Sequence, residues 1–277
     1  MLLGDAPRHG SAGTSRGSTL NQATIAARLR AAGSVFAEDE ATLIVEAAAS
    51  TDELEAMVER RVSGEPLEQV LGWAEFCGLR IVVEPGVFVP RRRTALLVDQ
   101  TLALLAGARE PVVVDLCCGT GAVAAAVHKS RPDVELHASD IELRAVHCAR
   151  SNLAGIGSVH EGDLTEALPD ELAGRADVIV VNAPYVPSDE IAMMPPEARD
   201  HEPRVALDGG ADGVDIHRRV AEQAPRWLRP GGHLVIETSR RQASLTLDAM
   251  TARGFEGRVE RSDDLEATAV IGRLSRR

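Results

Sequence analysis

The tetrapeptide Asn182-Ala183-Pro184-Tyr185 follows an apolar run that is typical of a buried strand. The Asn182 side-chain oxygen and the Ala183 backbone carbonyl are acceptors that can hold both N–H bonds of an NH₂ group. An amide nitrogen is a poor nucleophile, and fixing it in this way aims its lone pair at an electrophile. Pro184 restricts the backbone, and Tyr185 offers a flat face for a planar amide or base. We predict that the tetrapeptide binds an NH₂-bearing acceptor and that Asn182 and Tyr185 are catalytic.

A glycine-rich loop lies between a predicted strand at 112–116 and a predicted helix. Gly119 and Gly121 permit positive φ and a close approach of the backbone to a ligand, and the first N–H groups of the helix face the same place. Asp140 ends the next strand, where a carboxylate accepts hydrogen bonds from ribose hydroxyls. The residues predicted to bind a nucleotide-like cofactor here are Asp115, Cys117, Cys118, Gly119, Thr120, Gly121 and Asp140.

Two further acids bear on the choice of cofactor. Asp115 would repel a pyrophosphate, whereas it attracts the ammonium or sulfonium of S-adenosylmethionine at short range. Asp163 ends the third strand and can accept a hydrogen bond from an adenine amino group, with Leu164 against the ring. We predict S-adenosylmethionine as the cofactor, with Asn182 also in contact with it. A loop of this kind also fits a loose dinucleotide-binding pattern.

Strands and helices alternate from Thr94 onward, which is typical of a mostly parallel sheet with helices on both faces. In such doubly wound α/β folds, ligands bind beyond the carboxyl ends of the strands, where the loop and the tetrapeptide would meet. Apolar residues between Val70 and Val89 predict two short strands. The predicted domains are a disordered tail at 1–18, a helical domain at 19–65, a β-hairpin linker at 66–90 and the cofactor-binding domain at 91–277.

The composition of the 277 residues bears on the class of protein. A net charge of −12 repels phosphate backbones, which disfavours a nucleic-acid partner without excluding one. No apolar run reaches the roughly 18 residues that span a bilayer, so we expect no membrane span. The four cysteines match neither metal-binding spacing nor a disulfide framework, and the histidines form no ligand cluster. We therefore predict no metal site and a reducing cytoplasm.

Together these residues resemble the class I S-adenosylmethionine-dependent methyltransferases. They are most similar to the protein-(glutamine-N5) methyltransferases that modify the Gly-Gly-Gln loop of peptide-chain release factors. The resemblance extends from about Leu20 to the C-terminus, and its motifs are Pro66-Leu67, 72–79, Val89-Pro90-Arg91, 115–121, Asp140, Asn152, 182–185 and 202–213. It implies a Rossmann-like sheet, an N-terminal helical domain that grips a release factor, and a tetrapeptide that holds the glutamine amide. Glu202 and Arg204 are expected to pair and shape a loop.

The sequence departs from that family at three places. The tetrapeptide is normally Asn-Pro-Pro-Tyr, and Ala183 keeps the backbone carbonyl but leaves the strand end less rigid. Arg92-Arg93-Thr94 replaces Pro-Glu-Thr, which removes an acid and adds two positive charges near the expected substrate entrance. Cys117 and Cys118 stand where glycine and a small residue are usual. We expect a divergent or paralogous member of the family, and the sequence does not identify its methyl acceptor.

Four alternatives follow from the same residues. An adenine methyltransferase acting on RNA or DNA uses similar tetrapeptides and stacks a flipped base on the aromatic residue. A small-molecule N-methyltransferase fits the cofactor loop but not the helical domain. A nicotinamide-dependent oxidoreductase explains neither the tetrapeptide nor the segment at 202–210. A non-catalytic cofactor-binding regulator would bind the cofactor without turnover.

Overall fold

The computed structural model describes residues 21–275 and divides the chain into two compact units, the first ending at Val62 and the second beginning at Ser63. The predicted tail at 1–18 lies outside the described residues. Within 21–275, no helix combines the length and the apolar character needed to cross a membrane.

The described part of the smaller unit is helical. Its helices are α1 (Gln22–Ala31), α2 (Ala37–Ala47) and α3 (Thr51–Val62). The Asn21 side chain caps α1 by accepting a hydrogen bond from the Thr24 backbone N–H at 2.9 Å. Glu40 and Arg61 form a buried two-point ion pair, with N–O distances of 2.8 and 2.9 Å. Such two-point geometry compensates the desolvation of both charges and ties α2 to α3.

The segment predicted as a hairpin linker contains a shorter hairpin and belongs to the larger unit. Its elements are α4 (Leu67–Leu71), β1 (Trp73–Phe76) and β2 (Leu79–Val82). The prediction of strands from Val70 to Val89 is therefore wrong at both ends, because Val70 is helical and Val87 and Val89 are irregular. Cys77 and Gly78, at φ of 50° and 69°, form the two-residue turn that hairpin twist favours.

The larger unit is built on a seven-stranded sheet. Its strands are β3 (Val112–Leu116), β4 (Glu135–Asp140), β5 (Ser158–Glu161), β6 (Ala176–Val181), β7 (Leu228–Glu237), β8 (Phe255–Ser262) and β9 (Ala267–Leu274). The order is β5-β4-β3-β6-β7-β9-β8, parallel except for β9, which is antiparallel to both of its neighbours. The chain reverses direction across the sheet between β3 and β6, where a doubly wound fold binds its ligand.

Helices cover both faces of this sheet. They are α5 (Ala95–Leu104), α6 (Ala122–Ser130), α7 (Leu143–Asn152), α9 (Asp215–Trp227) and α10 (Ala243–Thr251). The short helix α8 (Pro196–His201) lies in the segment between β6 and α9. Along β3, Val113 joins the core formed with α5 and α6, whereas Val112 and Val114 join the core formed with α9 and α10. This alternation confirms the predicted doubly wound α/β fold. Leu116 of β3 pairs with Val181 of β6, so the two strands end side by side.

The hairpin is anchored beside the glycine-rich loop by one asparagine. Asn152, at the end of α7, accepts from the Val82 backbone N–H at 2.8 Å and donates to the Val82 carbonyl at 2.9 Å. The same side-chain nitrogen donates to the carbonyl of Thr120 at 2.9 Å. Phe76 and Ile81 of the hairpin are buried in the core of the sheet. Asn152 thus ties the hairpin, helix α7 and the loop after β3 together.

Candidate active site

A cavity of about 490 Å³ opens at the carboxyl edge of the sheet, where β3, β4 and β6 end. It brings together all but one of the residues predicted to form the site. Those lining it are Asp115, Cys117, Cys118, Gly119, Thr120, Asp140, Asp163, Leu164, Asn182, Ala183, Pro184 and Tyr185. The glycine-rich loop and the tetrapeptide therefore share one cavity.

Gly121 is the predicted residue that does not line this cavity. Its φ of 74° is left-handed, and a side-chain carbon added there would lie 3.1 Å from Leu153 Cδ1 and 3.3 Å from the Ala149 side chain. The glycine therefore allows the start of α6 to pack against α7. The structure gives Gly121 a packing role, and its predicted contact with the cofactor stays a prediction.

The loop after β3 is held by backbone hydrogen bonds to the end of β4. Cys118 N–H donates to the Ser139 carbonyl at 3.1 Å, and Gly119 N–H donates to Asp140 Oδ2 at 2.9 Å. Cys117 adopts a φ of 54°, a left-handed conformation in which the family's usual glycine carries no penalty. Burial raises the pKa of the Cys117 thiol well above its usual value, and the nearby acids, Asp140 first among them, raise it further.

Two acids at the base of the loop differ in their surroundings. Asp115 is 2% exposed and accepts one hydrogen bond, from Ala124 N–H at 3.2 Å. Burial is the main cause that raises the pKa of Asp115 to about 7. Asp140 accepts from the backbone N–H groups of Gly119 and Glu142, each at 2.9 Å, and burial also raises its pKa. A cation would stabilise the charged form of either carboxylate.

Asp163 and Leu164 form the side of the cavity beyond β5. Asp163 Oδ2 accepts from Arg219 of α9 at 2.6 Å, and both side chains are partly exposed. Leu164 is buried at a φ of 52°, and its carbonyl accepts from the Ser139 hydroxyl at 3.0 Å. This bond fixes the Leu164 backbone in a conformation that is unusual for a branched residue. Arg219 was not predicted, because no local motif marks it.

The Asn182 side chain is oriented by a residue that the sequence analysis did not assign to the site. Its Nδ2 donates to the hydroxyl of buried Thr94 at 3.3 Å. With the nitrogen engaged, the Oδ1 atom is the group that Asn182 presents as an acceptor. Thr94 directly follows the arginine run at 91–93, so the segment that departs from the family also supports the tetrapeptide.

Tyr185 is fixed at its hydroxyl and at its backbone. The hydroxyl donates to Glu237 Oε1 at 3.2 Å, and the Tyr185 carbonyl accepts from Gln242 Nε2 at 2.7 Å. Burial, followed by the charge of Glu237, raises the pKa of Tyr185 to about 12. The phenol is therefore neutral at physiological pH and presents a flat, uncharged ring to the cavity.

The segment at 202–213 braces the tetrapeptide from behind. Val186 N–H donates to the Leu207 carbonyl at 3.0 Å, and Gly209 N–H donates to the Val186 carbonyl at 2.8 Å. A side-chain carbon at Gly209 would lie 2.7 Å from Tyr185 Cα, and one at Gly213 would collide with the Tyr185 carbonyl. These glycines are required because the tetrapeptide backbone passes directly against them.

Glu202 does not pair with Arg204, contrary to the expectation from the sequence. Its Oε1 accepts from Arg91 Nη2 at 2.5 Å and from Val89 N–H at 3.2 Å, whereas Arg204 pairs with Asp208 at 3.0 Å. Burial raises the pKa of Glu202, and Arg91 opposes that rise. The acid thus fastens Val89 and the first residue of the arginine run to the segment behind the tetrapeptide.

The chain is similar to several methyltransferases of known name. The methyltransferase small domain matches residues 78–194. The release factor glutamine methyltransferase of Geobacter sulfurreducens is 38% identical over 72% of this chain and 69% of its own. The enzyme of the same name from Bradyrhizobium diazoefficiens is 34% identical over 83% of this chain and 84% of its own. A 4-amino-L-phenylalanine/4-methylamino-L-phenylalanine methyltransferase of Streptomyces pristinaespiralis is 36% identical over 65% of this chain and 63% of its own.

Solved structures support the same fold. The 16S rRNA N2 G1207 methyltransferase of T. thermophilus, in complex with AdoMet and guanosine, has a TM-score of 0.53 at 20% identity. The match covers 73% of this chain and 49% of that chain. At this identity the likeness concerns the fold, a class I methyltransferase sheet with its helices.

Proposed function

The chain belongs to the family of release factor glutamine methyltransferases, which use S-adenosylmethionine as methyl donor, and we propose that it methylates the N5 atom of a glutamine in a release factor. The proposed acceptor is the glutamine of a Gly-Gly-Gln loop, and the proposed compartment is the cytoplasm, where release factors act. The observation that carries the proposal is the shared cavity, in which Asn182 lies with the acids of the loop after β3.

The residues around the loop fit the methyl donor. A side-chain carbon added at Gly119 would meet no atom within 4 Å, so the space beside the loop is open to a ligand. Asp115 suits the ammonium or sulfonium, Asp140 the ribose hydroxyls, and Asp163 with Leu164 the adenine. When bound, the cofactor supplies an electrophilic methyl group on a positively charged sulfur.

The tetrapeptide supplies the acceptor half of the proposed site. Asn182 Oδ1 and the Ala183 carbonyl would accept from the two N–H bonds of the glutamine amide, which fixes the nitrogen lone pair in one direction. The neutral ring of Tyr185 would lie against the planar amide. Positioning of this kind accounts for most of the rate, because the nitrogen becomes acidic on methylation and its proton passes to water.

The proposed role of the smaller helical unit is to grip the protein substrate. We propose this role from the family resemblance. The predicted domain boundaries, 19–65 for the helical domain and 91–277 for the cofactor-binding domain, are proposed on the same ground. Deletion of residues 1–62 would test it. The shortened chain is expected to keep cofactor binding if the larger unit folds alone, and circular dichroism checks that condition.

The direct test combines purified release factors with isotopically labelled S-adenosylmethionine. We expect a mass increase of one methyl group on the Gly-Gly-Gln peptide. The matched controls are a release factor whose glutamine is replaced by alanine and the Asn182→Ala enzyme, in which loss of one aligned polar group should lower kcat by roughly 10²–10³. Methylation elsewhere, or full turnover by Asn182→Ala, would contradict the proposal.

A small aromatic amine is a second candidate acceptor. It is favoured by the 36% identity to the S. pristinaespiralis enzyme, whose name describes amine methylation of an amino acid. Free 4-amino-L-phenylalanine in the same assay separates the two acceptors. Turnover of the amino acid with no methyl transfer to a release factor would favour the second candidate.

A further inference from the structure

Glu237, at the end of β7, is a buried acid on which two other side chains converge. Its Oε1 accepts from Arg93 Nε at 3.1 Å and from the Tyr185 hydroxyl at 3.2 Å. The side chain is 3% exposed, and its Oε2 has no hydrogen-bond partner among the described residues. A buried carboxylate with one unpaired oxygen depends on a charged partner, and Arg93 is the cation in contact with it.

Arg93 also faces the aromatic ring itself. Its Cζ atom lies 5.9 Å from the centroid of the Tyr185 ring, at the outer limit of a cation–π contact. The ring is thus held at its hydroxyl by Glu237 and on one side by Arg93. Arg93 lines the cavity, whereas neighbouring Arg92 does not.

Arg93 stands where the resembling family has an acid, beside a tetrapeptide that has lost a proline. Replacement of proline by Ala183 frees one backbone angle of the tetrapeptide. An acid in place of Arg93 would face Glu237 with a like charge, whereas arginine forms a pair with it. Both departures therefore affect Tyr185. Ala183 makes the backbone that leads to it less rigid, and Arg93 supports its side chain.

We infer that Arg93 is a positioning residue that, through Glu237, fixes the Tyr185 ring against which the methyl acceptor lies. That a methyl acceptor lies against this ring rests on the proposed function. The position of the ring is independent of it, because the contacts among Arg93, Glu237 and Tyr185 are made within the protein itself. Arg93 acts through Tyr185 and needs no contact with the reacting atoms.

The test uses the fact that Tyr185 is the only tyrosine in the chain. Uniform incorporation of fluorotyrosine into the full-length protein gives one fluorine resonance, which reports the surroundings of this ring. We expect Arg93→Ala and Glu237→Gln to shift or broaden the resonance. Arg92 is exposed like Arg93 but does not line the cavity. It supplies the matched control Arg92→Ala, which should leave the resonance in place.

Kinetics supply a second readout. Arg93→Ala should lower kcat about ten-fold, the worth of one hydrogen bond to a charged group, with an unchanged Kd for S-adenosylmethionine. Arg93→Lys keeps the charge but loses the planar fork, so it should recover part of the loss and guards against a misfolded alanine variant. Adding Ala183→Pro to Arg93→Ala should restore part of kcat.

The outcomes separate the two proposals. A fluorine resonance in Arg93→Ala and Glu237→Gln that matches the wild-type signal would overturn the positioning role, whatever the acceptor is. A changed resonance without methylation of any release factor would leave the positioning role in place and count against the proposed acceptor alone.

Discussion

The Thr94 hydroxyl accepts a hydrogen bond from the Asn182 amide at 3.3 Å, across 88 positions of sequence. The Thr94 hydroxyl can donate as well as accept, so the bond anchors the Asn182 amide in place. In the observed arrangement Nδ2 is engaged, and Oδ1 is the atom that can accept from a substrate N–H. The residue after the arginine run therefore supports the tetrapeptide.

Thr94→Val should lower kcat because valine keeps the shape of the buried side chain but cannot accept the bond. The expected loss is about three- to ten-fold, from a hydrogen bond worth roughly 0.5–1.5 kcal/mol. Steady-state kinetics at saturating cofactor measure it. Thr94→Ser keeps the hydroxyl and serves as the control, and equal rates for the two variants would remove the proposed orienting role.

Asp140→Ala should weaken binding of S-adenosylmethionine by about 1.5–3 kcal/mol, the worth of charge-assisted hydrogen bonds. The loss has two sources, because Asp140 also holds the Gly119 N–H of the loop. Isothermal titration calorimetry measures the affinity. Asp133→Ala, an exposed acid just before β4, is the matched control. Unchanged affinity in Asp140→Ala would count against a ribose contact.

Asp115→Asn should make the protein less sensitive to pH. The pKa of Asp115 is raised from 3.8 to about 7 on folding, so the folded state holds this proton more tightly. Its contribution to the free energy of unfolding is therefore largest at low pH and is lost as the pH rises from about 4 to about 7.

The asparagine variant lacks that loss. The free energy of unfolding can be measured by denaturant at about pH 5 and about pH 8. Between these two pH values the difference between variant and wild type should shift in favour of the variant by on the order of 2 kcal/mol. Titrating groups that do not interact with Asp115 are common to both proteins and cancel in the difference, whereas neighbouring Asp140 interacts with it. A stability difference that is the same at both pH values would mean that Asp115 titrates normally in the folded chain.

Gly213→Ala should destabilise the chain more than Gly107→Ala. Both glycines have left-handed backbones, at φ of 75° and 80°, so the conformational strain of alanine is shared. Only at Gly213 does the added carbon collide with Gln242 and the Tyr185 carbonyl, since Gly107 has no atom within 4 Å. We expect an extra cost of about 1–3 kcal/mol by thermal or denaturant unfolding. Equal costs would mean that the loop moves aside.

The parts of the site that could be predicted are those written in local patterns. Gly119 and Asp140 follow predicted strands, and the alternation of strands and helices places their carboxyl ends at one edge. Thr94 and Arg219 reach the cavity from distant elements, and Glu237 contacts Tyr185 from the end of β7. No spacing in the sequence marks these three residues. The expected pairing of Glu202 with Arg204 was wrong because the backbone turns Glu202 toward Arg91 instead.

Asn152 links the hairpin directly to the loop that lines the cavity. Its side chain holds the Val82 backbone N–H at 2.8 Å and the Thr120 carbonyl of the loop at 2.9 Å. Ordering the loop around a ligand would therefore slow deuterium uptake at Val82, although Val82 does not line the cavity. Hydrogen exchange at the Val82 amide would then measure ligand binding at a position outside the cavity.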